Sequence, residues 1–158
     1  ERSRDIETGA RRSPLDLQID LDTSAERLQV TFDSLLDGQW TPATPADARA
    51  VDEIPMTRLN EVVLHHIDLD CGFGFGDLDP TTARWLLDWN AGRLSAARLG
   101  RTAVELRSDT GHRVLAGSSE HPAVTITGTE ANLLGWLTGR LDRQSVTGAE
   151  HLSLGLPA

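Results

Sequence analysis

The chain has 158 residues, of which 39% are hydrophobic, a net charge of −9 and a single cysteine. This length is enough for one medium-sized domain or two small ones, with a real hydrophobic core. The negative charge disfavours nucleic acid and anionic membrane surfaces as partners, because their phosphates would be repelled. The lone Cys71 excludes an internal disulfide and a thiolate metal site, and a sequence without lysine excludes Schiff-base chemistry.

The sequence shows no pattern typical of a membrane or secreted protein. Its apolar runs are all shorter than the ~20 residues of a membrane-spanning helix. The polar segment that begins at Glu1 lacks the apolar stretch of a signal peptide, so we expect a cytoplasmic protein. Because the chain begins with Glu1 rather than Met, we also expect a processed or truncated form.

The first half of the sequence has the spacing of helices. A Ser-Pro pair and apolar residues at helical intervals predict a helix over about 14–37. The Pro- and Ala-rich segment 40–52 is predicted to be a loop. A second helix is predicted to run from about Pro55 to Leu69, and its apolar residues cover so much of the surface that we expect it to be largely buried.

The pattern changes near residue 76, which we take as a domain boundary. In chain order we predict a helix at 79–99, strands at 102–107 and 114–116 that form a hairpin, a strand at 123–127, a helix at 130–139 and a short strand at 151–154. The prediction is therefore an α+β chain with a helical domain over 1–76 and a small α/β domain over 77–158.

The most informative motif lies on the second predicted helix. Glu61 and His65 are four residues apart, so one helical turn aims both side chains at the same point. Paired ligands at this spacing bind a divalent metal in H-E-x-x-H proteins. Asp68 falls on the same face and is predicted to accept a hydrogen bond from the His65 ring within the site. His66 points elsewhere and is predicted to be buried, with a backbone partner.

The same residues have an interpretation without a metal. Glu61, His65 and Asp68 would then form a solvated stripe on the helix or a hydrogen-bonded triad in the core. Two ligands from one helix also leave a catalytic zinc site incomplete, because such a site has three protein ligands and one open position. A third ligand must therefore come from another part of the protein.

Two stretches of the sequence resemble the mycothiol-dependent maleylpyruvate isomerase family. One runs from Met56 to Leu69 and continues through a Gly/Phe segment to Asp77-Leu78-Asp79-Pro80, and the other is segment 5–14. The most specific piece is E-V-x-x-H-x-x-D-L, which begins at Glu61. The resemblance implies part of a DinB-like, metal-binding helical bundle over 1–76, followed by a small sterol-carrier-like α/β domain over 77–158.

The resemblance also implies roles for individual residues. Glu61 and His65 match the positions that bind a divalent metal, usually zinc, in that family, together with a histidine on an earlier helix. No histidine precedes His65 here, so we expect either a truncated chain or a natural short form with a degraded site. Arg140 matches a Gly-Arg position at the family's active site. We expect it to be the catalytic arginine that also binds the thiol cofactor. The alternative is an arginine that faces the helix dipole.

The function that the resemblance implies is cis-trans isomerisation with mycothiol as the cofactor. The thiolate of mycothiol, kept deprotonated by the metal, would add to the cis double bond of maleylpyruvate, permit rotation, and leave to give fumarylpyruvate. The expected partners are a small-molecule thiol and a dicarboxylate, which an arginine binds well. The alternative is a non-catalytic ligand-binding or regulatory protein that keeps the fold but has lost the metal.

Other candidate residues are predicted to be structural. We expect Cys71 to be a small buried residue rather than a nucleophile, and the glycine-rich segment 72–76 to connect the domains. Three tryptophans at helical spacing are predicted to lie in the core: Trp85, Trp89 and Trp136. Three later histidines are predicted to lie in surface loops: His112, His121 and His151.

Overall fold

The computed structural model describes residues 2–36, 45–93, 103–117 and 124–152. In chain order it contains α1 (Arg2–Gly9), α2 (Pro14–Leu36), α3 (Pro45–Asp68), a 3₁₀ turn (Phe75–Asp77), α4 (Pro80–Arg93), β1 (Val104–Ser108), β2 (Arg113–Ala116), β3 (Val124–Gly128), α5 (Glu130–Leu137) and a second 3₁₀ turn (Arg143–Ser145). The predicted α+β class is confirmed. Among these described helices, none is both long enough and apolar enough to cross a membrane.

The chain divides into two compact units, residues 1–52 and residues 53–158. The division falls inside α3, whereas the sequence predicts a domain boundary near residue 76. A compact unit need not coincide with a domain, so the predicted domains 1–76 and 77–158 stay a prediction.

The first unit contains α1, α2 and the beginning of α3. The start of α2 is the one predicted from the Ser-Pro pair, because the Ser13 hydroxyl accepts a hydrogen bond from the Asp16 N–H at 3.1 Å. The preceding helix α1 was not predicted, since its polar sequence has no apolar periodicity.

The second unit is built around a three-stranded sheet in the order β2-β1-β3. β1 pairs antiparallel with β2 and parallel with β3, so the predicted hairpin is confirmed. Burial alternates along β1, with Val104, Leu106 and Ser108 buried. One face of the sheet therefore packs on a core to which α4 and α5 contribute Leu86, Leu87, Leu133 and Leu134.

The C-terminal turns of α3 belong to this same core. Leu64 is only 6% exposed and packs in the cluster together with Phe75, which lies in the first 3₁₀ turn. The neighbouring residues Glu61 and His65 are exposed. The core therefore fixes the end of α3 and leaves the side of this helix that carries the candidate ligands open to solvent.

The predicted loop at 40–52 is wrong for its second part. Helix α3 begins at Pro45, and Pro55, the predicted first residue, lies inside it. A proline is favourable at a helix start, so the sequence offers two equivalent starting points. Inside the helix, Pro55 removes one backbone hydrogen bond but does not end the helix. Residues 37–44 lie outside the described part of the chain.

Burial predictions for the tryptophans are only partly confirmed. Trp136 is 4% exposed and belongs to the core, whereas Trp85 is 54% exposed, so its predicted core position is wrong. Helical spacing cannot tell which apolar side faces the protein when both sides of a helix carry large residues. The predicted end of the 79–99 helix beyond Arg93 lies outside the described residues. His151 lies in a turn, and residues 153–154 of the last predicted strand are also outside them.

Candidate functional site

Two exposed side chains meet near the end of α3. The Glu61 Oε2 atom lies 3.2 Å from the His65 Nε2 atom, and the two side chains are 54% and 68% exposed. One helical turn brings these two possible ligand atoms to one place, as the i, i+4 spacing of the residues requires. A carboxylate oxygen and an imidazole nitrogen therefore face a common point at the surface.

The opposite nitrogen of the same imidazole is held by Asp68. The His65 Nδ1 atom lies 3.1 Å from the Asp68 Oδ2 atom. An ionised carboxylate only accepts hydrogen bonds, so each ring nitrogen faces a group to which it can donate: Nδ1 faces Asp68 and Nε2 faces Glu61. When the ring is neutral and keeps its proton on Nδ1 beside Asp68, the lone pair is on Nε2.

The Asp68 carboxylate also binds Arg140, a residue 72 positions later in the sequence. The Arg140 Nε donates to Asp68 Oδ1 at 2.7 Å, and Nη2 donates to Oδ2 at 2.7 Å. These two parallel bonds form the fork geometry of a strong arginine–carboxylate pair. The structure therefore brings together all four residues that the sequence singles out: Glu61, His65, Asp68 and Arg140.

The turn after α5 places Arg140 at this point. Gly139 adopts a left-handed conformation with φ of 74°, which a glycine reaches without strain. The Arg140 N–H donates to the Gly135 carbonyl at 2.9 Å, which closes the helix end. A Cβ atom at Gly135 would lie 2.5 Å from the Leu141 Cδ1 atom. Two glycines thus let the chain fold back and direct Arg140 towards α3.

The opposite charges of Asp68 and Arg140 stabilise each other. The hydrogen bond from Arg140 holds the pKa of Asp68 below its ordinary value, and His65 lowers it further, against the opposing effect of partial burial. The same bond raises the pKa of Arg140, and the charge of Glu61 adds to that rise. Asp68 is therefore ionised and Arg140 charged at neutral pH, which keeps their ion pair intact.

The donor set fits two ligands of a divalent metal. A neutral imidazole nitrogen and a carboxylate oxygen are ligands that zinc accepts, and a second carboxylate orients the ring as is usual in zinc sites. Within residues 2–36, 45–93, 103–117 and 124–152, however, no group of three or more His, Cys, Asp or Glu side chains is arranged to hold a metal ion. Glu61 and His65 therefore form half of a possible site.

Several neighbouring predictions are wrong. His66 is exposed and stacks on Phe73, with ring centroids 4.5 Å apart, instead of being buried with a backbone partner. Cys71 is exposed and lies three residues beyond the end of α3 at Asp68. Among the later histidines, His151 is exposed as predicted, and His121 lies outside the described residues.

His112 is only partly exposed and has a carboxylate partner that the sequence does not indicate. Its Nε2 atom lies 2.7 Å from the Asp88 Oδ1 atom, a contact between the β1–β2 turn and α4. This second histidine–aspartate pair shares no residue with the cluster around His65.

The comparisons with known proteins point to one family. Residues 1–70 match the family described as mycothiol maleylpyruvate isomerase N-terminal domain. Two solved structures are similar to the chain: the crystal structure of the mycothiol-dependent maleylpyruvate isomerase, with a TM-score of 0.73, and that of a point mutant, with a TM-score of 0.72. Each is 22% identical in sequence, and each match covers 99% of this chain and 65% of the other. No curated protein matches the chain.

Proposed function

We propose that the chain acts as a metal-dependent, mycothiol-using isomerase or thiol transferase on maleylpyruvate-like dicarboxylates, because residues 1–70 match the family described as mycothiol maleylpyruvate isomerase N-terminal domain. One observation carries the proposal. A pair of metal-type ligands and an arginine suited to a carboxylate are joined through the single side chain of Asp68. The ligand pair, Glu61 and His65, suits a metal that holds a thiol, and Arg140 suits an acidic substrate.

Glu61 and His65 would hold the metal, with zinc as the proposed ion. When bound, a divalent metal lowers the pKa of a coordinated thiol and so supplies a thiolate at neutral pH. The contribution of the chain is to keep His65 in the tautomer that offers Nε2, which the hydrogen bond to Asp68 does. Solvent exposure of both ligand side chains leaves room for a small-molecule thiol beside them.

Arg140 would bind one carboxylate of the substrate. Its guanidinium is charged at all relevant pH values and presents donors in a planar fork that matches a carboxylate. The side chain is 26% exposed, so part of it is reachable from solvent. Holding the substrate close to the reacting thiol is the positional contribution that such a residue makes to catalysis.

Metal content is the decisive measurement. We would determine zinc by elemental analysis in this chain and in the chain together with any coding sequence that precedes it. Glu61→Ala and His65→Ala are the test variants. The matched control is Glu53→Ala, because Glu53 is another half-exposed carboxylate on α3 that pairs with Arg93.

Because Glu61 and His65 supply only two ligands, we expect about one zinc per chain in the extended form of the wild type and of Glu53→Ala, and none in the two test variants. The next step is then an assay with mycothiol and maleylpyruvate. A metal-free wild type in both forms of the protein would overturn the proposed enzyme.

One observation favours a second candidate, a non-catalytic ligand-binding or regulatory protein. The described residues bring only two ligands together at the end of α3 and hold no three-ligand group. In this case the protein would bind a dicarboxylate through Arg140 without zinc and without turnover. Binding of maleate to the metal-free protein, combined with no isomerase activity at any zinc concentration, distinguishes this candidate from the enzyme.

A further inference from the structure

Asp68 accepts hydrogen bonds from two residues that would have different tasks. Its two oxygens receive the Nδ1–H of His65 and the Nε–H and Nη2–H of Arg140. Three donors therefore converge on one carboxylate, which has about four acceptor positions. Among the described residues, no other side chain is hydrogen-bonded to both His65 and Arg140.

The way in which Asp68 binds the guanidinium determines which N–H groups of Arg140 remain able to bind a ligand. A guanidinium has five N–H groups, and Asp68 occupies the edge formed by Nε and Nη2. In the part of the chain that the structure describes, Asp68 is the one side-chain acceptor recorded for this group. The other edge, formed by Nη1 and Nη2, can still make two parallel bonds to a carboxylate.

The cluster also has a defined charge balance. With a neutral His65 ring, the cluster has two carboxylates, Glu61 and Asp68, and one guanidinium, Arg140. The positive charge of Arg140 thus offsets the negative charge of only one of the two carboxylates. A divalent cation beside Glu61 would change the sign of the cluster from negative to positive. A dicarboxylate would then bind far better after the metal than before it.

We propose that Asp68 is a positioning residue that couples the two parts of the site. It directs Nε2 of His65 to the metal and, by holding the Nε edge of Arg140, presents the Nη1–Nη2 edge to one carboxylate of the substrate. This inference rests on the proposed function. It predicts that metal affinity and dicarboxylate affinity both depend on Asp68, whereas Arg140 affects only the dicarboxylate affinity.

Asp68→Asn is the main test variant. Asparagine has nearly the same size but a single acceptor oxygen, and its NH₂ group would face the N–H donors of His65 or Arg140. The matched control is Asp88→Asn, which removes the other histidine–aspartate contact of the unit, the one to His112 at 2.7 Å. Asp68→Glu keeps the charge and serves as the conservative variant.

Two affinities are measured on the full gene product. Zinc affinity is obtained by competition with a chromophoric chelator, and maleate affinity by calorimetry with zinc-loaded protein. We expect Asp68→Asn to weaken zinc binding about 10- to 100-fold and maleate binding at least about tenfold, since a bidentate charged contact is lost. Asp88→Asn should change neither, and Asp68→Glu should recover part of both losses.

A double-mutant cycle with Arg140→Gln tests the coupling. Arg140→Gln should keep zinc affinity within about twofold and lose maleate affinity. Adding Asp68→Asn to it should cause no further loss of maleate affinity, because Asp68 acts on maleate through Arg140. Purely additive losses would contradict the inference.

The remaining outcomes separate the two proposals. A wild type that binds zinc and isomerises the substrate, with Asp68→Asn indistinguishable from Asp88→Asn, overturns the inference and leaves the proposed function standing. A wild type that binds no zinc overturns the proposed function, and the role of Asp68 in metal binding with it.

Discussion

The two compact units of the chain differ in how they use their apolar residues. In the first unit, none of the side chains whose exposure is described is buried, and Leu15, Leu21 and Val30 of α2 are 64–68% exposed. In the second unit, a continuous core contains eight large side chains with less than 2% exposure. All four residues of the candidate site lie in this second unit. The geometry of the site therefore depends on the well-packed part of the molecule.

Removing a core side chain should give the largest effect and tests this difference directly. Leu134→Ala removes a side chain with 0% exposure from α5. We expect it to lower the free energy of unfolding by about 2–5 kcal/mol, because a cavity remains. Leu21→Ala on α2 is the matched control and should change stability by less than about 0.5 kcal/mol. Urea unfolding of both variants provides the measurement. Equal effects would show that the exposed residues of α2 also support the fold.

A smaller effect is expected at the turn that carries Arg140. Gly139→Ala forces a residue with a Cβ atom into a left-handed conformation, at φ of 74°, and should cost about 1–2 kcal/mol of stability. We also expect weaker maleate binding, because Arg140 would move. Gly92→Ala is the control, since Gly92 lies in α4 with open space around it and alanine there should stabilise by about 0.5–1 kcal/mol. Unchanged maleate affinity in Gly139→Ala would show that the turn does not fix the arginine.

The smallest effect is a change with pH at a buried carboxylate of the second unit. Glu130 is 4% exposed. Burial alone would raise its pKa, but hydrogen bonds, first that of Thr110 and finally that of Arg84, outweigh burial and hold the pKa below the ordinary value of 4.5. Since the folded-state pKa is depressed, ionised Glu130 stabilises the fold above that ordinary value. This contribution is lost as the pH falls through the folded-state pKa.

Unfolding free energies measured from neutral pH downward should therefore fall more steeply in the wild type than in Glu130→Gln. The control is Glu53→Gln, whose exposed side chain should leave the profile unchanged. If the profile of Glu130→Gln runs parallel to that of the wild type, Glu130 does not supply the pH dependence.

Elements whose limits are set by local signals could be predicted from the sequence. The start of α2 follows from Ser13, and the start of α5 follows from Thr129, which accepts a hydrogen bond from the Asn132 N–H as a helix cap does. Where two equivalent signals compete, as Pro45 and Pro55 do in α3, the predicted start at Pro55 is wrong. The exposure of Trp85 depends on which side of α4 meets the sheet, and that is decided by tertiary packing.

The candidate site also combines a contact that the sequence predicts with one that it does not. The contact between His65 and Asp68 follows from helical spacing alone, so the sequence could predict it. The bidentate pair between Asp68 and Arg140 joins residues 72 positions apart. It depends on how the fold brings the turn after α5 to the end of α3, and no local pattern encodes that placement.

The turn after α5 has a consequence for how the residue at position 140 can change during evolution. Backbone hydrogen bonds and the glycines at 135 and 139 hold the turn, and none of these bonds uses the side chain at position 140. Replacing the residue at the tip therefore removes the pair with Asp68 but leaves the turn itself intact, while Glu61 and His65 stay on a different helix. Under the proposed function, selection would alter the acid that is bound at one position without disturbing the residues that would hold the metal.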